Sequence, residues 1–186
     1  LAHEERRGTV GRPLPGVEEV IVGEDGAHLP PGVDGEIRIR GDNIMAGYFK
    51  LPEATSAAFD ENGYFRTGDM GRIDEEGFLS ITGRIKEMLI ISGENVFPRE
   101  IEEVLNRHDA ISDCAVIGQQ DDARGEVPVA FVELVDGGVI DEKQVRQFCR
   151  ESLPAFKVPR SITVLDALPR NPTGKIQRRA LKGEAA

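Results

Sequence analysis

Three observations predict an α+β chain with two parts. Short strand-like runs separated by turns fill the residues up to about 84, the composition shifts around Arg84–Lys86, and the later part reads strand, helix, strand, strand, helix, strand. In the first part Val17 to Val22 is a strand closed by the Glu24-Asp25-Gly26 turn. Glu36 to Arg40 alternates, with Ile37 and Ile39 on one face and Arg38 and Arg40 on the other. Pro52 opens a short helix through Ala54 to Phe59, and Asn62-Gly63 turns the chain afterwards. Arg72 to Asp74 and Phe78 to Thr82 flank Glu75-Glu76-Gly77 as a hairpin.

After Lys86, Met88 to Ile91 is an apolar strand. Pro98 then starts a helix that puts Ile101, Val104 and Leu105 on one face. Ile111 to Ile117 and Val127 to Val135 read as strands. Asp141 is the expected N-cap of a helix burying Val145, Phe148 and Cys149, and Ile162 to Leu165 is a last strand. The two parts are placed at 1–85 and 86–186.

Whole-chain properties bound the function. With 186 residues and 39% hydrophobic content the chain can bury a core. Its net charge of −10 argues against a nucleic-acid partner, because a phosphate backbone would meet a repulsive field. No apolar run reaches membrane-spanning length and no signal peptide is visible, so a cytoplasmic setting is expected. Cys114 and Cys149 stand far apart in apolar runs and read as buried free thiols, which suits a reducing compartment. His3, His28 and His108 show no metal-ligand spacing, and no metal site is assigned. The first residue is Leu1 rather than Met, so a piece of a longer protein is expected. The basic residues after Lys175 (Arg178, Arg179 and Lys182) are expected to form a solvated tail.

Four short motifs carry chemistry. Asn171-Pro172-Thr173-Gly174-Lys175-Ile176 places a lysine on a rigid turn, where its ammonium can stabilise charge building on a phosphate oxygen. Thr67-Gly68-Asp69 presents a carboxylate that suits two neighbouring hydroxyls, as in a ribose, and equally suits an aspartate capping its own turn. Gly83-Arg84-Ile85-Lys86 lies at the change of composition and offers a forked donor for ribose or phosphate oxygens, or a solvated linker. Ser92-Gly93 joins a strand towards the Pro98 helix, and the glycine lets an extended ligand approach the backbone. Each is weak alone; their order is not.

Taken with Gly35-Glu36-Ile37 to Gly47-Tyr48, Leu51-Pro52 and Leu153-Pro154-Ala155-Phe156-Lys157-Val158-Pro159-Arg160, these motifs resemble the C-terminal third of the adenylate-forming enzymes, most closely the fatty acyl-CoA synthetases. The resemblance implies the end of a large AMP-binding domain, a distorted β-barrel subdomain, followed by a small α+β lid. It implies a two-step reaction in which a carboxylic acid and Mg-ATP give acyl-AMP and coenzyme A then takes the acyl group. By this likeness Asp69 and Arg84 bind the nucleotide and Lys86 is the hinge. Lys175 assists adenylation, and Ser92 and Gly93 line the pantetheine passage. Asn95 stands where acetyl-CoA synthetases use an arginine for the CoA nucleotide. The Gly/Ser/Thr-rich phosphate loop and the acyl pocket of the family lie in an N-terminal domain that this sequence does not contain. The 186 residues alone are therefore expected to be inactive, with Mg²⁺ held mainly by that missing domain. The alternatives are an adenylation domain that loads a carrier protein and a binding module that kept the fold without the chemistry.

Overall fold

The computed structural model describes Arg6 and residues 8 to 182, which form two compact units, one ending at Lys86 and one beginning at Glu87. The first holds an antiparallel sheet of β1 (Val17–Val22), β2 (Gly35–Gly41), β3 (Phe65–Ile73) and β4 (Leu79–Arg84), in that order. The helix α1 (Pro52–Ala58) sits between β2 and β3 in the chain, with proline in its first turn. Ile21, Ile37 and Leu79 form the core of this unit. On the opposite face of β2, Arg38 is only 7% exposed. Its guanidinium donates to Glu36 (2.8 Å) and Asp60 (3.0 Å), the pairing that a buried charge requires.

The α+β class is as the sequence predicts, with a difference in closure: among the described residues the first sheet is open and no barrel closes. Its β4 edge is covered instead, because Val10 and Gly11 exchange backbone hydrogen bonds with Leu79 (2.8 and 2.9 Å). The Glu75-Glu76-Gly77 turn forms as expected. Asp74 Oδ1 accepts from Glu76 N and Phe78 N, both at 2.9 Å, and Gly77 takes a φ of 84°.

In the second unit β5 (Leu89–Ile91) and β6 (Glu94–Val96) form a hairpin, and α2 (Pro98–Leu105) follows. Next come β7 (Ile111–Asp121), β8 (Gly125–Leu134), α3 (Glu142–Ser152), β9 (Ile162–Val164) and α4 (Arg178–Leu181). The sheet order is β6-β5-β8-β7, and β9 joins β8 in parallel. The long β7–β8 ribbon is buried on both faces, which is why its sequence is continuously apolar rather than alternating. Cys114, Val116, Ala130 and Val132 face Ile101, Leu105, Val145 and Cys149 of the two long helices. The intervening Ala115, Ile117, Val129 and Phe131 face Leu168, Ile176 and Leu181 of the C-terminal segment. Asp141 caps α3 as predicted, accepting from Lys143 N (2.7 Å) and Gln144 N (3.3 Å).

The expected solvated tail is corrected at its start. Leu181 is 1% exposed and anchors α4 in the core, a burial worth about 2 kcal/mol. Arg178 is half-buried in ion pairs, while Arg179 and Lys182 are exposed. No helix among the described residues is long and apolar enough to cross a membrane.

Candidate nucleotide and lysine sites

Thr67-Gly68-Asp69 is a bulge inside a continuous strand rather than the end of one. β2 pairs Glu36 with Met70 and Arg38 with Arg66, so three residues of β3 stand opposite Ile37 alone. Gly68 permits this with a φ of 71°. Thr67 Oγ1 pins the bulge, donating to Ile37 O (2.7 Å) and accepting from Asp69 N (3.0 Å). The bulge re-aims Asp69 next to Arg84, its partner in the β3–β4 register, with Arg84 Nε 3.0 Å from Asp69 Oδ1. Both side chains reach solvent, at 64% exposure for Arg84 and 27% for Asp69, so an incoming hydroxyl pair can reach the carboxylate. Thr67 was not singled out from the sequence, although a threonine directly before Gly-Asp is the signal that could have found it.

Lys86 lies exposed in a single 3-10 turn, Ile85–Glu87, where the first unit ends. Ser92 and Gly93 are the two central residues of the β5–β6 hairpin, with φ of 54° and 86°. Positive φ at both positions is the mark of a tight hairpin turn whose twist matches its strands. The loop expected here is therefore a turn followed by a further strand, β6. Ser92 N donates to Arg124 O at 2.8 Å, which ties the turn to the end of β8.

The turn carrying Lys175 is built around one side chain. Asn171 Oδ1 accepts from Thr173 N (3.1 Å), Thr173 Oγ1 (2.8 Å) and Lys175 N (2.9 Å). Asn171 N donates to Lys175 O and Gly174 N to Asn171 O, both at 2.9 Å, with Gly174 at a φ of 82°. The result is a locked backbone with the Lys175 side chain exposed. Arg170, next to the turn, donates to Gly174 O (3.1 Å) and to Asp113 (2.5 Å), and the bond to Asp113 pushes its pKa further up. On the other side Arg178 meets both oxygens of Glu102 at 2.9 Å.

A further concavity of about 330 Å³ lies within the second unit, lined by Arg124, Arg146, Arg150 and Arg160 around Phe156 and Val158. Arg160 pairs with Asp121 (3.1 Å) and Arg146 reaches Glu142 at 4.0 Å, so carboxylates offset part of this charge. The buried Nε of Arg146 has no hydrogen-bond partner among the described residues. Four arginines thus line one concavity in a chain whose net charge is −10, so the local charge there is opposite in sign to that of the whole. The i, i+4 spacing of Arg146 and Arg150 on α3 was the available sequence signal.

Cys114 and Cys149 are buried free thiols. Burial pushes Cys149 up to about 11, and burial together with Glu102 and Asp113 raises Cys114 as well. Neither thiol is disposed to act as a nucleophile.

Known proteins resemble this chain both in sequence and in fold. Residues 1–49 match the AMP-binding enzyme family, and residues 100–175 match the AMP-binding enzyme C-terminal domain. The chain is 43% identical over 176 residues to 3-[(3aS,4S,7aS)-7a-methyl-1,5-dioxo-octahydro-1H-inden-4-yl]propanoyl:CoA ligase of Rhodococcus jostii RHA1, covering 95% of this chain and 32% of that protein. It is 40% identical over 182 residues to the sulfoacetate–CoA ligase of Cupriavidus necator, covering 98% of this chain and 36% of that protein. The crystal structure of ATP-bound MatB from Rhodopseudomonas palustris superposes with a TM-score of 0.89 at 39% identity, covering 95% of this chain and 35% of that one. The chain thus spans about a third of the length of the proteins it matches. Two segments of the chain thus match AMP-binding enzyme family models, and over almost its entire length the chain is similar to proteins named as CoA ligases.

Proposed function

We propose that this chain is the C-terminal part of an ATP-dependent acid–CoA ligase, whose N-terminal domain supplies the phosphate loop and the acyl pocket. The observation that carries the proposal is the Lys175 turn: a lysine held exposed by an asparagine-centred network is pre-organised to meet an anionic oxygen, at little reorganisation cost during reaction. In the first step a carboxylate oxygen bonds to the α-phosphorus of ATP and the bond to pyrophosphate breaks. Lys175 stabilises the charge between the acyl carboxylate and the α-phosphate. Asp69 accepts from the ribose hydroxyls, and Arg84 holds Asp69 and contributes to the same nucleotide site. In the second step the CoA sulfur bonds to the acyl carbon, AMP leaves and the thiol proton is lost. Lys86 is the hinge between the two half-reactions, and Ser92 and Gly93 line the path of the pantetheine arm.

Magnesium offsets phosphate charge when bound with ATP. The ion is read as part of the Mg-ATP substrate, held mainly by the N-terminal domain. The arginine cleft is the place this unit offers to the phosphates of CoA.

A medium- or long-chain fatty acid is the narrower reading, resting on the Leu153–Arg160 and Leu168–Lys175 segments. By their names the relatives above act on a bicyclic propanoate and on sulfoacetate. A cytoplasmic setting is part of the same proposal and rests on the two buried free thiols. The test is product analysis of the full-length enzyme with Mg-ATP and a panel spanning fatty, aromatic, polycyclic and sulfonated acids, with and without CoA. AMP release with a new acyl-CoA supports the ligase reading and names the acid. Acyl-AMP that accumulates and ignores CoA overturns it in favour of carrier loading.

A further inference from the structure

Arg178 is a half-buried cation three residues beyond Lys175, and it joins parts of the chain distant in sequence. Its Nη2 lies 2.9 Å from both oxygens of Glu102 on α2, and its Nη1 lies 3.2 Å from Glu87, the first residue of the second unit. Glu102 is itself 9% exposed and also accepts from Val116 N on β7 at 2.8 Å. One carboxylate therefore fastens a core helix, a core strand and the C-terminal segment together. Leu181, one turn further on, is sealed in the core behind it.

These contacts bear on Lys175 because the chain between it and Arg178 is short and constrained. Gln177 N donates to Pro169 O at 2.7 Å, and Ile176 packs on the Phe131 side of the sheet. The turn is thus held at both ends, by Arg170 on the entering side and Arg178 on the leaving side. The two clamps are unequal. Arg170 and Asp113 are each about a third exposed or more, a setting in which ion pairs contribute little. The side chains of Arg178 and Glu102 are 29% and 11% exposed, and with Nη2 on Glu102 and Nη1 on Glu87 the planar guanidinium is held in direction as well as distance.

We propose that Arg178, through Glu102 and Glu87, is the positioning residue for Lys175: it does not touch the nucleotide but sets where the Lys175 ammonium stands during adenylation. This rests on the reading of Lys175 given above. A shift of about 1 Å in a catalytic group costs on the order of a hundredfold in rate, so a clamp of this kind is visible in kinetics.

The experiment separates the two half-reactions in the full-length enzyme: acid-dependent exchange of labelled pyrophosphate into ATP, and thioester formation from supplied acyl-AMP and CoA. Because removing Arg178 alone leaves Glu102 buried and unpaired, the variant of choice is the double substitution Arg178→Met with Glu102→Gln. It keeps both side-chain stems, and the amide oxygen introduced by Glu102→Gln can still accept from Val116 N. The expected result is a fall of about 10- to 100-fold in kcat for exchange, with KM for ATP within about threefold and thioester formation unchanged. Adding Lys175→Ala should bring exchange down only to the level of Lys175→Ala alone, because the effects of a positioning residue and of the group it positions do not add. Equal losses in both half-reactions, or exchange at the parent rate, would overturn the proposal. If instead Lys175→Ala alone leaves exchange intact, the reading of Lys175 fails, and that result is distinct from a failure at Arg178.

Discussion

Asp69 and Arg84 are cross-strand partners in β3 and β4, with Nε 3.0 Å from Oδ1, and they meet at a bulge that Thr67 pins to Ile37 O. The pair is solvent-exposed, and such pairs contribute about 1 kcal/mol or less to stability. The proposed nucleotide role of the pair can therefore be tested with little cost to the fold. Asp69→Ala should therefore leave the melting temperature within about 3 °C of the parent while raising KM for ATP at least tenfold. Arg84→Ala should give a smaller loss in the same parameter. Thermal denaturation and steady-state kinetics on the full-length enzyme check both.

The Lys175 turn should be sensitive at a residue that touches no substrate. Asn171→Ala removes the acceptor of three hydrogen bonds. It should lower the adenylation kcat by about tenfold while costing about 1 kcal/mol of stability, because the freed N–H groups remain partly wet. Gly174→Ala forces a side chain into a φ of 82° and should cost a further 1 kcal/mol or so. Pyrophosphate exchange and chemical denaturation measure the two effects.

The arginine cleft should act on CoA and not on adenylation. Arg150→Glu places a repulsive charge among Arg124, Arg146 and Arg160. KM for CoA should rise about tenfold or more with pyrophosphate exchange unchanged, and the effect should shrink as salt is raised. Dephospho-CoA, which lacks one phosphate, should discriminate less between parent and variant.

The buried thiols give a pH dependence with a definite sign. Cys149 is pushed up to about 11 by burial, above its ordinary value of 9.0, so the unfolded chain ionises first as pH rises. The stability tied to the neutral thiol is fully present below about pH 9 and is lost progressively as pH climbs through 11. Denaturant unfolding from about pH 8 to about pH 11 should show this decline, and Cys149→Ala should lessen it while the contribution of Cys114 remains. Neither cysteine should react with a thiol reagent at about pH 8 in the native state.

The elements that repeat a local rule were legible in the sequence. The Glu75-Glu76-Gly77 hairpin, the Pro98 helix start and the Asp141 cap need only neighbours within a few residues, and all three form as expected. Ile111 to Ile117 and Val127 to Val135 were legible as strands from their apolar runs, whereas their pairing as β7 and β8 and their burial on both faces are seen only in the structure. What escaped depends on contacts distant in sequence. Ser92 gives no sign of a positive φ; the β5–β6 hairpin exists because Ser92 N is held by Arg124 O, 32 positions on. Arg178 looks like any basic tail residue until Glu102, 76 positions earlier, proves to be buried beneath it. Likewise Arg124, Arg146, Arg150 and Arg160 converge only after folding. Lys175, Asp69 and Arg84 were readable as motifs, but the Asn171 network and the Thr67 bulge that aim them were not.

The role of Lys175 stands or falls on the two half-reactions of Lys175→Ala in the full-length enzyme. Pyrophosphate–ATP exchange should fall by about a hundredfold or more, the scale of losing one pre-organised charge-stabilising group, while supplied acyl-AMP and CoA still form thioester at near the parent rate. Exchange that survives the substitution, or thioester formation that falls with it, would contradict the role assigned to this lysine.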